Sequence, residues 1–419
     1  MHSSSSADVV IVGAGLAGLA AATHLHAAGI EALVVEASDG VGGRVRTDLI
    51  DGFRLDRGFQ LYNPSYPEGQ RLFDYAALDL KPFIAGAEVV LMKTRSRIAD
   101  PRRKPSWAWA SLLAPLGSAR GELNFARYAW RQAQAPMASI RSAPDITTEE
   151  ALIGAGIDSE LIERFLRPFL GGVFLDDSLT TSRRFFDLVL RSFVRGTPSV
   201  PALGMGELSA QLHRQVADHV LFNTTVTEIT ATGVRTQRGA INSDTVLVAT
   251  DPRTASVLTP GLTVPDGRPV TTWYHHIPSG HPPLSHGDGV LVLDGSRGGP
   301  LINTVVLTQA APSYAPPGHT LVSSSALGKH SSADMDEQVR QHLARLYDVN
   351  TSEWELIAHY PIPYALPAMT VPLNTEQTVR LGHGRYVAGD HRDTASIQGA
   401  LVSGRRAAEA IISDRLGKR

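Results

Sequence analysis

The stretch Gly13-Ala14-Gly15-Leu16-Ala17-Gly18 constrains this chain more than any other, because it fits G-x-G-x-x-G between a strand and a helix. Before it, Val9-Val10-Ile11-Val12 is a continuous β-branched run, the pattern of a strand buried on both faces. After it, Ala17–Ala28 carries Leu19, Ala20, Ala22 and Leu25 at helical spacing, and Gly29 stops the helix at its C′ position. Ala32–Glu36 reads as a second buried strand, so the opening is a βαβ unit. Gly13 makes the tight turn, Gly15 lets the backbone approach a pyrophosphate, and Gly18 lets helix pack closely on strand. The helix N-terminus, with Ala14 and Ala17 in the same loop, offers unpaired N–H groups and a positive dipole end to phosphates. Glu36 closes the second strand, where a carboxylate accepts from adenosine ribose hydroxyls and disfavours a 2′-phosphate. The unit predicts a dinucleotide site without choosing between NAD and FAD.

Further along, Thr245–Thr250 and Arg385–Gly389 read as strands of the same sheet, the latter followed by a long helix, Gln398–Leu416. Gly289–Leu293 and Gly318–Ser325 look like hairpin pieces. Met335–Tyr347 looks like a helix opened by Asp334 and Glu337 in capping-box spacing, burying Met335, Val339, Leu343 and Leu346. Residues 82–201 read mainly helical, with Trp107, Trp109 and Trp130 in their first half. The expected fold is α/β: a Rossmann-like dinucleotide domain from 1–81, 202–266 and 380–419, with an inserted mixed α+β substrate domain from 82–201 and 267–379. Lys and Arg total 39 against 41 Asp and Glu, a net charge of −2 that gives nucleic acid no electrostatic foothold. The absence of cysteine excludes disulfides, thiolate metal sites and a cysteinyl flavin link. Met1–Ala7 lacks the charged and apolar regions of a secretory signal, and the longest apolar stretch is too short and glycine-rich to span a membrane. The expected location is cytoplasmic.

Other motifs favour FAD. Gly42-Gly43-Arg44-Val45-Arg46-Thr47 follows the second strand, then Asp56-Arg57-Gly58. Gly204-Met205-Gly206 precedes Leu208–Leu212, and Val226 stands in TVTEI. Near the end come Ala388-Gly389-Asp390 and Ser396-Ile397-Gln398-Gly399-Ala400. In these motifs, over nearly its whole length, the sequence resembles the flavin-containing amine oxidase and phytoene desaturase superfamily. The resemblance implies a single non-covalent FAD in an oxidoreductase that removes two electrons from an organic substrate as hydride to flavin N5, by C–C desaturation or C–N oxidation. A flavin-dependent isomerase or mutase with no net oxidation is the alternative. It also implies roles for residues. Gly42, Gly43 and Arg44 would hold the pyrophosphate, Arg44 through a charge-assisted contact, and Val226 would meet the adenine through its backbone. In the Gly389-Asp390 pair, Asp390 would accept a ribityl hydroxyl. Ile397 and Gln398 would present amides to the N1–C2=O edge, where reduction places negative charge and a helix start stabilises it. With no second G-x-G-x-x-G between strand and helix, the electrons come from the substrate rather than from NADPH.

The sequence departs from the amine oxidases in two places. Their lysine near N5 is missing from Arg268–Tyr274, and Ala395-Ser396 stands where they carry one wall of an aromatic cage. Both departures favour C–C dehydrogenation, or an acceptor other than oxygen. No catalytic residue is assigned; the partner is a small-molecule or lipophilic organic substrate. Arg95, Arg97, Arg102, Arg103 and Lys104 beside Trp107 and Trp109 could contact a membrane surface, but a solvated basic loop before a lid helix with core tryptophans is favoured. No metal site is expected: His275 and His276 are adjacent and would point to opposite faces of a strand, and His281 and His286 stand among prolines. Following Asp390, His391 is expected near the flavin, titrating during turnover, with Arg392 and Asp393 paired to each other. Tyr62, Tyr274, Tyr360 and Tyr364 are candidate pocket walls, with core packing the default.

Overall fold

The structure is a computed structural model describing residues 5–92, 94–100, 102–107, 114, 116–279, 284, 289–331 and 334–417. The β-branched run forms strand β1 (Val9–Val12), buried throughout. Helix α1 spans Leu16–Ala27 and buries Leu16–Ala22 and Leu25, apolar on most sides as a helix inside a core must be. Gly29, at φ +72°, turns the chain into β2 (Ala32–Val35). Later segments add β3 (Val246–Val248), β4 (Arg385–Val387) and α2 (Ile397–Leu416). These strands lie in one six-stranded sheet, ordered Val220–Leu221, β2, β1, β3, β4, Arg380–Gly382, parallel except at the last pair. Helix α2 crosses α1 closely because Gly404 has no side chain; a Cβ there would lie 2.2 Å from the Ala17 carbonyl oxygen. A small sheet built on Val226–Thr230, Gly233–Thr236 and Gly239–Asn242 packs Val226, Val234 and Ile241 against Val10, Val12, Val246 and Val248.

A seven-stranded mixed sheet forms the second layer system, ordered Glu355–Pro367, Gly267–Ile277, Thr320–Leu327, Asn303–Val306, Leu291–Asp294, Gly86–Leu91, Thr94–Ala99. The helix Asp334–Tyr347 buries Met335, Val339, Leu343 and Leu346 against it, as its spacing predicts; the Asp334 side chain lies outside the described residues. Among the described residues, 82–201 are less helical than expected. Their first part is the antiparallel hairpin Gly86–Leu91/Thr94–Ala99, and long helices begin only at Ala119–Gln134 and Arg183–Arg195. Glu88, wholly buried in the first hairpin strand, is paired with Arg95 and Arg97 of the second. Much of the basic patch is thus spent inside a sheet, and Arg103 donates to the carbonyls of Phe193, Val194 and Gly196. Trp107 is buried and Trp130 half exposed; Trp109 lies outside the described residues. Likewise, Leu291–Asp294 pairs mainly in parallel with Gly86–Leu91 rather than closing a hairpin. No helix among the described residues is long and apolar enough to cross a membrane.

Asp56 joins the two sheet systems. Its carboxylate, 3% exposed, accepts from Thr47 Oγ1, the Met205 amide and Tyr314 Oη, while its carbonyl accepts from Tyr274 Oη. Burial pushes this carboxyl up to about 6. The folded state therefore binds the proton more tightly than the unfolded chain. The stability that this contributes is full below the ordinary aspartate range near ~4 and is lost as pH rises through about 6. Asp393, also pushed up to about 6 by burial, acts in the same direction. Asp56→Asn should thus remove a loss of stability of roughly 2 kcal/mol that the wild type carries between pH 4 and 7. Parallel pH profiles of wild type and variant check this; identical slopes would exclude it.

Candidate cofactor site

The opening glycines behave as their spacing predicts. At Gly13, φ is +104° and a Cβ would stand 2.9 Å from the Ala249 carbonyl oxygen; at Gly18, a Cβ would stand 2.1 Å from that of Gly13. Gly15 differs: a Cβ there would meet nothing within 4 Å, so its face looks into open space. Gly42 and Gly43, at φ +110° and +59°, fold back over this loop; the Gly42 amide donates to Ala14 O at 2.8 Å, and a Cβ on Gly43 would lie 3.6 Å from Gly15 Cα. Glu36 is fixed through both oxygens: Oε2 accepts from the Ala14 amide at 2.7 Å, and Oε1 from the Ser38 amide and hydroxyl at 2.8 and 2.7 Å. The Ala14 amide is thus committed to Glu36. Ala17 is buried, its carbonyl facing Gly404 of α2.

The chain's distant end closes this cradle. Arg44 donates to Asp390 Oδ1 at 2.7 Å and to the Ala365 carbonyl at 2.7 Å. The arginine side chain is 32% exposed and the aspartate 5%. Gly389, at φ +150°, donates its amide to Ser403 Oγ. Ser396 caps α2 by accepting from the Gly399 amide, so the amides of Ile397 and Gln398, in the first turn, have no acceptor among the described residues. The side chain of Gln398 is occupied, accepting from the Glu68 amide. Val226 is 8% exposed at the start of its strand, across from Thr236.

Several expectations need correction. His391 is 3% exposed, and burial pushes it down to about 4, so the ring is neutral near neutral pH rather than poised to titrate. Both of its nitrogens lack a hydrogen-bond partner. Arg392 and Asp393 do not pair: Arg392 donates to the Thr378 carbonyl, and Asp393 faces Arg406 at 3.4 Å. The tyrosines named as candidate pocket walls all have protein partners for their hydroxyls. Tyr62 and Tyr274 are fully buried, Tyr62 sharing a hydrogen bond with Tyr75, while Tyr360 and Tyr364 donate to Asp48 and the Pro265 carbonyl. Thr272, on the strand that lacks the lysine, accepts from the Phe59 amide and meets Ser325. Among the described residues no three metal-ligating side chains converge. His275 meets Asp336 and His276 meets Glu355 and His319; His281 and His286 lie outside the described residues.

Three observations fit FAD: an open glycine floor at a helix start, free amides at a second helix start, and a buried imidazole without partners beside Asp390. The parallel sheet with its glycine loop and the seven-stranded mixed sheet joined to it make a two-domain α/β build of the FAD-binding kind. A family model described as flavin containing amine oxidoreductase matches residues 16–412, and the chain belongs to that family. Putrescine oxidase of Kocuria rosea is 47% identical over 72 residues, 17% of this chain and 15% of that protein. Protoporphyrinogen oxidase 2 of Arabidopsis thaliana is 26% identical over 184 residues, 43% of this chain and 35% of that one, so the chain matches well under two thirds of either relative. A wild-type putrescine oxidase solved with putrescine superposes with a TM-score of 0.72 at 19% identity, covering 97% of this chain and 99% of that one. Agreement at that identity concerns the fold.

Proposed function

We propose that this chain is an FAD-dependent dehydrogenase of an apolar organic substrate, oxidised at a C–C bond. One observation carries the reading: Ala395, immediately before the first turn of α2, is 6% exposed and belongs to an apolar cluster with Met369, Leu170, Phe174, Phe185 and Phe186. Leu366 and Leu373 pack on the same cluster. Such surroundings repel an ammonium group and suit a hydrocarbon. The hydroxyls of Tyr360 and Tyr364 are already committed, which supports the same conclusion.

In this reading residues 1–81, 202–266 and 380–419 hold the cofactor, and 82–201 with 267–379 cover the substrate. All six strands of the parallel-rich sheet lie in the first set and all seven of the mixed sheet in the second. Gly15, Gly42, Gly43 and Arg44 hold the pyrophosphate in a loop that Gly13 and Gly18 shape, Glu36 holds the adenosine ribose, and Val226 the adenine. Asp390 takes the ribityl chain, and Ile397 and Gln398 take the flavin edge through their amides. FAD held there supplies a two-electron acceptor. The chain's own contribution is to bind it, aim the helix dipole at its reduced edge, and exclude water from the apolar side. A cytoplasmic location accords with the cysteine-free sequence.

Anaerobic mixing of FAD-loaded protein with conjugated polyenes should bleach the oxidised flavin band, whereas diamines such as putrescine should leave it unchanged. Bleaching by amines but not by apolar substrates would reverse the proposal.

A further inference from the structure

Among the buried histidines described, His391 alone has both ring nitrogens unpaired. His342, by contrast, accepts from the Leu301 amide and meets Asp294, and His276 bridges Glu355 and His319. Neutral imidazole carries one donor and one acceptor, and folded interiors rarely leave both unused. The ring folds over its own chain: a Cβ on Gly389 would lie 2.5 Å from His391 Nδ1. Glycine at 389 therefore makes room for the imidazole as well as for the backbone turn.

The charges acting on the ring are Asp390, Arg392, Arg44 and Asp251. Three of these border the cradle. Arg44 follows the glycine pair that covers Gly15. Asp251 follows Ala249-Thr250, against which Gly13 packs, and Asp390 holds Arg44. Asp390 Oδ1 accepts from Arg44, and Asp251 Oδ1 accepts from the Arg253 and Thr254 amides of the helix it caps; neither carboxylate bonds to the ring. The imidazole thus lies among the elements of the cradle, and neither ring nitrogen has a partner among the described residues.

We infer that His391 is a cofactor-binding residue, its imidazole N–H donating to an oxygen of the ribityl–pyrophosphate chain of FAD. This rests on the FAD reading above. Because burial holds the ring neutral near neutral pH, it supplies one directed hydrogen bond and no charge, complementing the cation that Arg44 provides.

Apoprotein titrated with FAD provides the test. His391→Leu should weaken FAD binding ~10–100-fold, while the melting temperature of the apoprotein stays level or rises, since leucine needs no partner. His391→Gln, which keeps a donor, should recover much of the affinity. Equal FAD affinity in wild type and His391→Leu overturns the inference and leaves the FAD reading standing. Wild-type protein that takes up no FAD defeats the FAD reading itself. Should His391→Leu fail to fold, 15N-histidine spectra of wild type decide: FAD must shift the His391 ring nitrogens, and unmoved resonances overturn the assignment.

Discussion

Gly18→Ala should abolish FAD binding and lower the melting temperature of the apoprotein, whereas Gly15→Ala, three residues away, should abolish binding alone. The added methyl at position 18 would sit 2.1 Å from the carbonyl oxygen of Gly13, 3.2 Å from its carbon and 3.3 Å from Ala249 Cβ. Two of these are backbone atoms and cannot rotate away, so α1 must lift from β1. Overpacking of this kind costs about 3 kcal/mol, and the better helix propensity of alanine returns about 1 kcal/mol. At position 15 the backbone is at φ −72°, ordinary for alanine, and the methyl meets nothing within 4 Å. It costs the fold nothing but stands where a diphosphate must lie against the chain. Thermal unfolding of both apoproteins, with FAD titrations, separates the two effects; equal destabilisation by both substitutions would contradict the assignment of roles.

The second large effect is expected at Arg44. Its guanidinium ties the Gly42–Arg44 loop to Asp390 and to the Ala365 carbonyl, and so joins three distant stretches of chain. Arg44→Leu leaves the Asp390 carboxylate, 5% exposed, without this cation. With the arginine side a third open to solvent, the stability lost is about 2 kcal/mol rather than the larger figure for a fully buried pair. FAD affinity should fall further, about 100-fold, because the charge-assisted contact to phosphate goes as well. Arg44→Lys should recover part of the affinity but not the bridge to both partners, since an ammonium lacks the planar fork. Equilibrium dialysis with FAD and denaturant melts of the apoprotein check both figures. Unchanged FAD affinity would remove Arg44 from the site.

The βαβ opening was legible because its signals are local. Gly13 and Gly29 take positive φ, Gly18 makes room for the nearby Gly13 carbonyl, and β-branched strands declare themselves by composition. The closing strand and helix were legible for the same reason, with boundaries within two residues. The Gly86–Ala99 hairpin was not. Its arginines look like a solvated loop until Glu88 on the neighbouring strand is seen to absorb their charge, and cross-strand partners leave no periodic trace in one strand. The partners of Arg392 and Asp393 were hidden likewise, since Thr378 and Arg406 come from elsewhere in the chain. Within the candidate site the sequence drew attention to His391 through its place after Asp390, yet only burial without partners points to a neutral donor.

The parallel sheet also bears on how the protein is made. β1 and β2 emerge from the ribosome together, but β3, which pairs with β1, follows more than two hundred residues later, and β4 and α2 later still. Until then the face of α1 that packs on α2 has nothing to cover it, and the nucleotide loop lacks its far wall. Sequence-distant contacts of this kind form slowly, so the nascent chain carries a long-lived apolar surface and cannot close its flavin cradle before α2 has been made.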